Sequence, residues 1–202
     1  MHISSGAPER LPDGLHAALG RYRHTVFIER LGWRLDTPAG VERDQFDRPD
    51  TVYVVAQDDG GRITGCARLL PTTRPYLLGE VFPQLLNGLP PPASPDVWEL
   101  SRFAAVDLNG GAAPVGSQFS ASIAAALLRE SVACAAAHGA KRLISVSPVG
   151  VERLIQRAGF RAHRAGPPMI VDGHPIFACL IEVENASNNA GLSMVRRGTG
   201  GS

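Results

Sequence analysis

What this chain has little of bounds it first. Its three cysteines, Cys66, Cys134 and Cys179, are an odd number, widely spaced and set among apolar or small residues. No pair stands at metal-ligand spacing, so buried, reduced thiols are the expectation. Charge of one sign is missing too: 20 lysines and arginines against 19 aspartates and glutamates leave a formal charge of +1. Nucleic-acid-binding domains are usually clearly basic, so no nucleic-acid partner is expected. No apolar run approaches the roughly 20 residues that span a bilayer, and Met1 to Arg10 lacks the apolar stretch of a secretory signal. A cytoplasmic protein without a membrane span is expected. His24, His138, His163 and His174 are scattered without metal or triad spacing, and no metal is expected.

What remains is an ordinary globular composition, 44% hydrophobic and 19% charged over 202 residues. That length suits one domain with a substantial core, expected over 1–184, while the Asn-, Ser- and Gly-rich 185–202 reads as a flexible tail. Leu15, Leu19, Tyr22, Val26 and Ile28 recur at helical spacing up to Leu31, with Asp13 as the expected N-cap. A polar segment follows from Arg34 to Asp50, carrying Glu42, Asp44 and Asp47 around Phe46, a long loop of the kind that is often functional. Thr51–Gln57 and Arg62–Leu70 flank the turn Asp58-Asp59-Gly60-Gly61 and predict a hairpin. Leu77–Leu86 is apolar around Glu80 and Phe82, and Leu89–Pro95 is an irregular connector. Val97–Val106 reads as a strong strand. Gly110-Gly111 and Gly116 precede an alanine-rich helix, Ser117–His138, with Gly139 as its C-cap. Lys141–Ser147 predicts a strand, Val149–Ala158 a short helix, and Met169–Val171 with Pro175–Val183 a last hairpin. Elements in this order predict one mixed sheet flanked by helices.

One stretch breaks the apolar pattern. In Trp98-Glu99-Leu100-Ser101-Arg102-Phe103 an acid and a base sit inside a strand that should be buried, and burying either charge alone is prohibitive. Arg23, Asp44, Asp47 and Arg68 are available as partners, and together these residues suit a small zwitterionic ligand. Glu99 with Arg68, or Arg102 with Asp47, could equally be ion pairs that tie loop to sheet.

Read together, Arg23, Phe27 and Trp33, then Asp44 and Asp47, Arg68, Phe82, and Glu99 with Arg102 resemble the acyl-homoserine lactone synthases, the autoinducer synthases of bacterial quorum sensing. The likeness runs from Arg21 to Phe160 and includes Gly65-Cys66-Ala67-Arg68-Leu69 and Arg157-Ala158-Gly159-Phe160. It implies a three-layer α/β/α sandwich with a mixed, splayed sheet, similar to the GCN5-type N-acetyltransferases. It also implies the reaction: an acyl chain carried on acyl carrier protein passes to the amine of S-adenosylmethionine (SAM), the carboxylate closes a lactone, and methylthioadenosine (MTA) leaves. SAM is then a substrate, and no cofactor is needed.

The residue types suit that chemistry. SAM presents a sulfonium, an ammonium, a carboxylate and an adenine, so its pocket needs acids, arginine and aromatic faces together. Arg23, Phe27, Trp33, Asp44, Arg68, Phe82 and Phe103 are the expected substrate contacts, and Glu99, Asp47 and Arg102 the expected catalytic group. A free α-amine titrates near about 7.7 to 8.0, so a carboxylate acting through water suffices as base, Glu99 before Asp47. Arg153 and Arg157, four residues apart on a short helix, share a face and are the expected dock for the acidic carrier protein. A coenzyme A-dependent N-acetyltransferase is the runner-up, disfavoured because the Gly110-Gly111 to Gly116 loop before the helix lacks the Arg/Gln-x-x-Gly-x-Gly/Ala spacing; a non-catalytic adenosyl-ligand sensor is the third reading. Related enzymes that take 3-oxo chains tend to place a threonine in the strand corresponding to Lys141–Ser147, which has none here, so the resemblance implies an unsubstituted acyl chain; a medium length, near eight carbons, is a separate expectation.

Overall fold

The computed structural model describes residues 1–38, 40–108 and 120–183. The glycine loop at Gly110-Gly111 and Gly116, the start of the helix read from Ser117, and the tail beyond Glu184 lie outside the described residues.

Strands β1 (His2–Gly6), β2 (Val52–Gln57), β3 (Ile63–Pro71), β4 (Val97–Ala104), β5 (Arg142–Pro148), β6 (Ala162–Arg164), β7 (Met169–Val171) and β8 (His174–Glu182) form one eight-stranded mixed sheet. Its order is β1-β2-β3-β4-β5-β8-β6, with β7 also paired to β8. The expected hairpin is β2–β3, antiparallel from Val52↔Leu69 onward. The centre is less regular. β4 and β5 run parallel and pair only from Val97↔Arg142 to Glu99↔Ile144. Beyond that point β4 stays with β3, as far as Cys66↔Ala104, and β5 stays with β8, as far as Pro148↔Ile176. The two strands therefore part into a wedge, the expected splay.

Side-chain alternation gives this sheet two different faces. On the back, Val52, Val54, Ala67, Leu69, Leu100 and Leu143 bury against Leu127, Leu128 and Val132 of α3 (Ala121–Ala137) and Val151 and Ile155 of α4 (Val151–Arg157). On the front, one apolar cluster joins Tyr53, Val55 and Cys66 to Leu15, Leu19, Tyr22 and Phe27. A second joins Leu70, Val97 and Ile144 to Phe46, Leu78 and Leu85. Along β3, Cys66 belongs to the first front cluster and Leu70 to the second, so Arg68, two residues from each, marks a band between them.

The first helix is shorter than its periodicity predicts. α1 covers Leu15–Arg23, and its N-cap is Gly14 in the left-handed conformation (φ 75°), not Asp13. His24–Arg30 continue it with the wider winding of a π-helix, in which Leu31 N–H donates to the Val26 carbonyl. Such widening is uncommon and frequent at functional sites. α2 (Leu77–Val81) and a 3-10 turn, Pro83–Leu86, occupy the segment read only as apolar. α3 ends as expected at Gly139 (φ 87°).

Candidate active site

The front band is built on a β-bulge. Arg68 faces Ser101 and Cys66 faces Ala104, so two steps along β3 are matched by three along β4. The extra residue is accommodated at Arg102, whose φ of 50° is left-handed, a conformation that costs a non-glycine residue of order 1–3 kcal/mol. Strict alternation would send Arg102 to the back with Leu100. The bulge instead turns it to the front beside Ser101, while Phe103 joins the back cluster near α3. Backbone strain here has a use: it puts two consecutive polar side chains on one face.

Three buried arginines and three acids of the loop then interlock. Arg23 Nε donates to Glu42 Oε2, and its two Nη atoms grip Asp47 at 2.7 and 3.0 Å. Arg68 Nη1 reaches Asp44 Oδ1 at 2.6 Å and Asp47 Oδ1 at 3.3 Å, and its Nε donates to Ser101 Oγ. Arg102 donates to Glu42 Oε1 from Nε and Nη2, and to Asp44 Oδ2 at 2.7 Å. Tyr53 OH and the Asp44 amide add two more donors to Asp47. Burial opposes ionisation of Asp47, but Arg23 and Arg68 prevail and hold its carboxyl well below the usual range. The Arg23 guanidinium is held above its ordinary value despite burial, by Asp47 and Glu42. Arg102 goes the other way, lowered by burial and by Arg68.

Glu42 is the member of this ionic band that sequence reasoning missed. It was legible only as one of several loop acids, yet it is 0% exposed and joins Arg23 to Arg102. Its docking depends on Gly20 in α1, whose carbonyl accepts the Glu42 N–H at 3.0 Å. A Cβ at Gly20 would lie 2.8 Å from Val41 Cγ1. The available signal was charge balance, since three buried arginines call for three acids.

The remaining expected residues divide. Phe27 and Trp33, brought together by the π-helical segment, stack with centroids 4.7 Å apart. The Arg102 guanidinium lies 5.7 and 5.3 Å from their rings, and Trp33 remains 38% exposed. Phe82 packs with the second front cluster, beside the band. Phe103 lies on the opposite face, and exposed Arg153 and Arg157 stand on α4, also behind the sheet. The ion pairs weighed from sequence are replaced by others: Arg68 pairs with Asp44 and Asp47, and Arg102 with Glu42 and Asp44. Glu99, 0% exposed, accepts the Leu77 and Leu78 amides at 3.1 and 2.6 Å. Burial pushes its carboxyl up, a shift partly offset by the Leu78 N–H and by Arg68.

One donor in this assembly is left over. Arg68 is fully buried, and its Nη2 has no hydrogen-bond partner among the described residues. A buried guanidinium N–H without an acceptor is costly, which makes it a natural place for a ligand's negative charge.

Comparison with known proteins identifies the family. Residues 13–190 match the family described as autoinducer synthase. The acyl-homoserine-lactone synthase of Acinetobacter nosocomialis is 56% identical over 183 residues, which span 91% of this chain and 100% of that protein. TofI, solved in a ternary complex with an inhibitor and MTA, aligns with a TM-score of 0.78 at 47% identity, covering 91% of this chain and 92% of that one. BjaI, a CoA-dependent acyl-homoserine lactone synthase solved with SAM and isopentyl-CoA, aligns with a TM-score of 0.77 at 26% identity, over 94% and 88% of the two chains. A putative N-acetyltransferase from Lactobacillus plantarum shares the fold, with a TM-score of 0.58 at 18% identity over 90% and 96%. No helix among the described residues is long and apolar enough to cross a membrane. The chain belongs to the autoinducer synthase family and is an acyltransferase of the acyl-homoserine lactone synthase class.

Proposed function

We propose that this synthase transfers an acyl chain from acyl carrier protein to the amine of SAM and then closes the lactone, supplying a quorum-sensing signal from the cytoplasm. The observation that carries the reading is the unpaired Nη2 of Arg68 in an otherwise interlocked ionic band. It is suited to the methionine carboxylate of SAM. Asp44, the most exposed of the three acids at 13% of its side chain, is suited to the ammonium, and Phe27 and Trp33 to the cationic sulfonium and the adenine. Likeness to TofI, solved with MTA, and to BjaI, solved with SAM, supports the same substrate here.

The amine nitrogen attacks the thioester carbonyl, the thiolate leaves and takes up a proton, and an amide forms. The carboxylate oxygen then attacks the γ-carbon, the carbon–sulfur bond breaks, and MTA leaves as a neutral thioether. Closure needs only alignment, because the sulfonium is already a good leaving group. The thioester oxyanion is suited to backbone N–H groups of β4 where it parts from β5. Glu99 is favoured over Asp47 as proton acceptor, through water. Its carboxyl is raised by burial, and each oxygen has a lone pair beyond its one backbone bond. Asp47 is saturated by Arg23, Arg68, Tyr53 and the Asp44 amide. SAM is consumed rather than recycled, so no cofactor or metal is invoked, and residues 1–184 act as one unit.

Exposed Arg153 and Arg157 support acyl carrier protein as donor. Likeness to the CoA-dependent BjaI supports a second reading, acyl-CoA as donor. Mass spectrometry of reactions with SAM and either octanoyl-carrier protein or octanoyl-CoA decides between them. The expected product is octanoyl-homoserine lactone with MTA, faster from carrier protein, and R153E/R157E should raise the KM for that donor alone. Lactone from octanoyl-CoA only would overturn the choice of donor, and octanoylated amine without lactone would overturn the reaction.

A further inference from the structure

Glu99 is bound to the backbone in a way that proton transfer does not require. α2 has five residues, too few to persist alone, and its N-cap residue, Tyr76, makes no side-chain cap bond. The two N–H groups that open the helix, those of Leu77 and Leu78, each donate to a different oxygen of Glu99. An ionised carboxylate has only acceptors, and backbone bonds to a charged acceptor are about twice as strong as neutral ones. Glu99 therefore serves as the N-cap of a helix that lies 21 to 22 residues earlier in the chain.

That helix supports the site. Fully buried Leu78 and Leu85 share the second front cluster with Phe46 and Leu70, and Phe82 packs against it. Phe46 lies in the loop between Asp44 and Asp47, its amide donates to Asp44 Oδ1, and the Arg68 guanidinium sits 5.8 Å from its ring. We infer that Glu99 is a positioning residue for the acid loop: by capping α2 it fixes the apolar wall against which Phe46, and with it Asp44 and Asp47, is set. The inference rests on the reading that this band binds SAM, and it is independent of whether Glu99 takes the proton.

Two variants of the full chain separate the roles. L77P removes one donor and leaves the Glu99 carboxylate intact; proline suits the first helical position, and Tyr76 (φ −143°, ψ 160°) already has the extended backbone that precedes proline. E99Q keeps one acceptor oxygen and turns an NH2 group toward the other donor. Both should speed hydrogen exchange across 78–86 by about 2- to 30-fold, the scale of losing a helix cap, and raise the KM for SAM in the same range. L77P should keep the acidic limb of the kcat profile, which a loss of the base would erase. Wild-type exchange at Leu78 together with wild-type KM in E99Q overturns the positioning role, whatever happens to kcat. Wild-type kcat in E99Q with accelerated exchange supports positioning and overturns only the proton-acceptor reading. If SAM fails to bind the wild-type protein, the substrate reading falls, while exchange at Leu78 in E99Q still decides the cap.

Discussion

The two faces of one sheet solve opposite problems with neighbouring residues of the same strands. Behind it, Ala67, Leu69 and Leu100 meet the aliphatic side of α3; in front, Arg68, Ser101 and Arg102 meet a loop of acids. The back stabilises by removing apolar surface from water, without directional demands. The front removes charge from water, and the Coulombic return on a buried pair roughly matches that cost. The comparison teaches that stability is drawn mainly from the back, while the front is intolerant of losing any single partner.

The largest effect should come from breaking the front. Glu42→Ala strands Arg23 and Arg102 as uncompensated buried charges and should cost about 3–5 kcal/mol in urea unfolding, with activity lost. If it unfolds with a near-wild-type midpoint, the band is wetter than described. The matching cut behind, Leu127→Ala, should cost about 2–5 kcal/mol but leave kcat per folded molecule unchanged. An activity loss there beyond the folded fraction would couple the two faces.

Acid should discriminate next. An unfolded aspartate titrates near about 3.9, and Asp47 is held lower in the fold. The stability it contributes is therefore complete above that value and is lost as pH falls through the lower, folded one. Glu99, raised in the fold, has the opposite sign: its contribution is complete below its unfolded pKa and is lost as pH rises through the folded one. Asp47→Asn should remove about 2 kcal/mol of stability at pH 7 and flatten the decline below about pH 4. A wild-type decline in that variant would assign acid sensitivity to other groups. The smallest effect belongs to an exposed pair: Glu152→Gln, which releases Arg164 on the surface, should change stability by less than about 1 kcal/mol.

The same contrast explains what the sequence made legible. Strands buried on both faces, β2 and β3, announce themselves through β-branched runs and turn residues, and Gly139 marks the end of α3. Glu99 and Arg102 stood out because charge inside an apolar strand demands partners. Edge strands were hidden: β1, His-Ile-Ser-Ser-Gly, and the three residues of β6 are half exposed and carry too little apolar pattern. The π-helical segment was invisible because residue spacing over seven positions does not separate it from α-helical winding. Glu42 was overlooked because nothing local distinguishes an acid in solvent from one that a distant arginine will bury; Gly20, the notch that admits it, reads as an ordinary helical glycine. The bulge at Arg102 is a matter of register, and register between β3 and β4 is set by packing rather than by either strand alone.

The central claim, that the spare N–H of Arg68 receives the carboxylate of SAM, is tested most directly by calorimetric titration of wild type and Arg68→Lys with SAM and with MTA, which has no carboxylate. Lysine keeps the charge but cannot supply the second Nη donor. SAM should bind the variant at least about tenfold more weakly, a change of about 1.4 kcal/mol, while MTA should bind within about twofold of wild type. Equal weakening of both ligands, or of neither, would contradict the account.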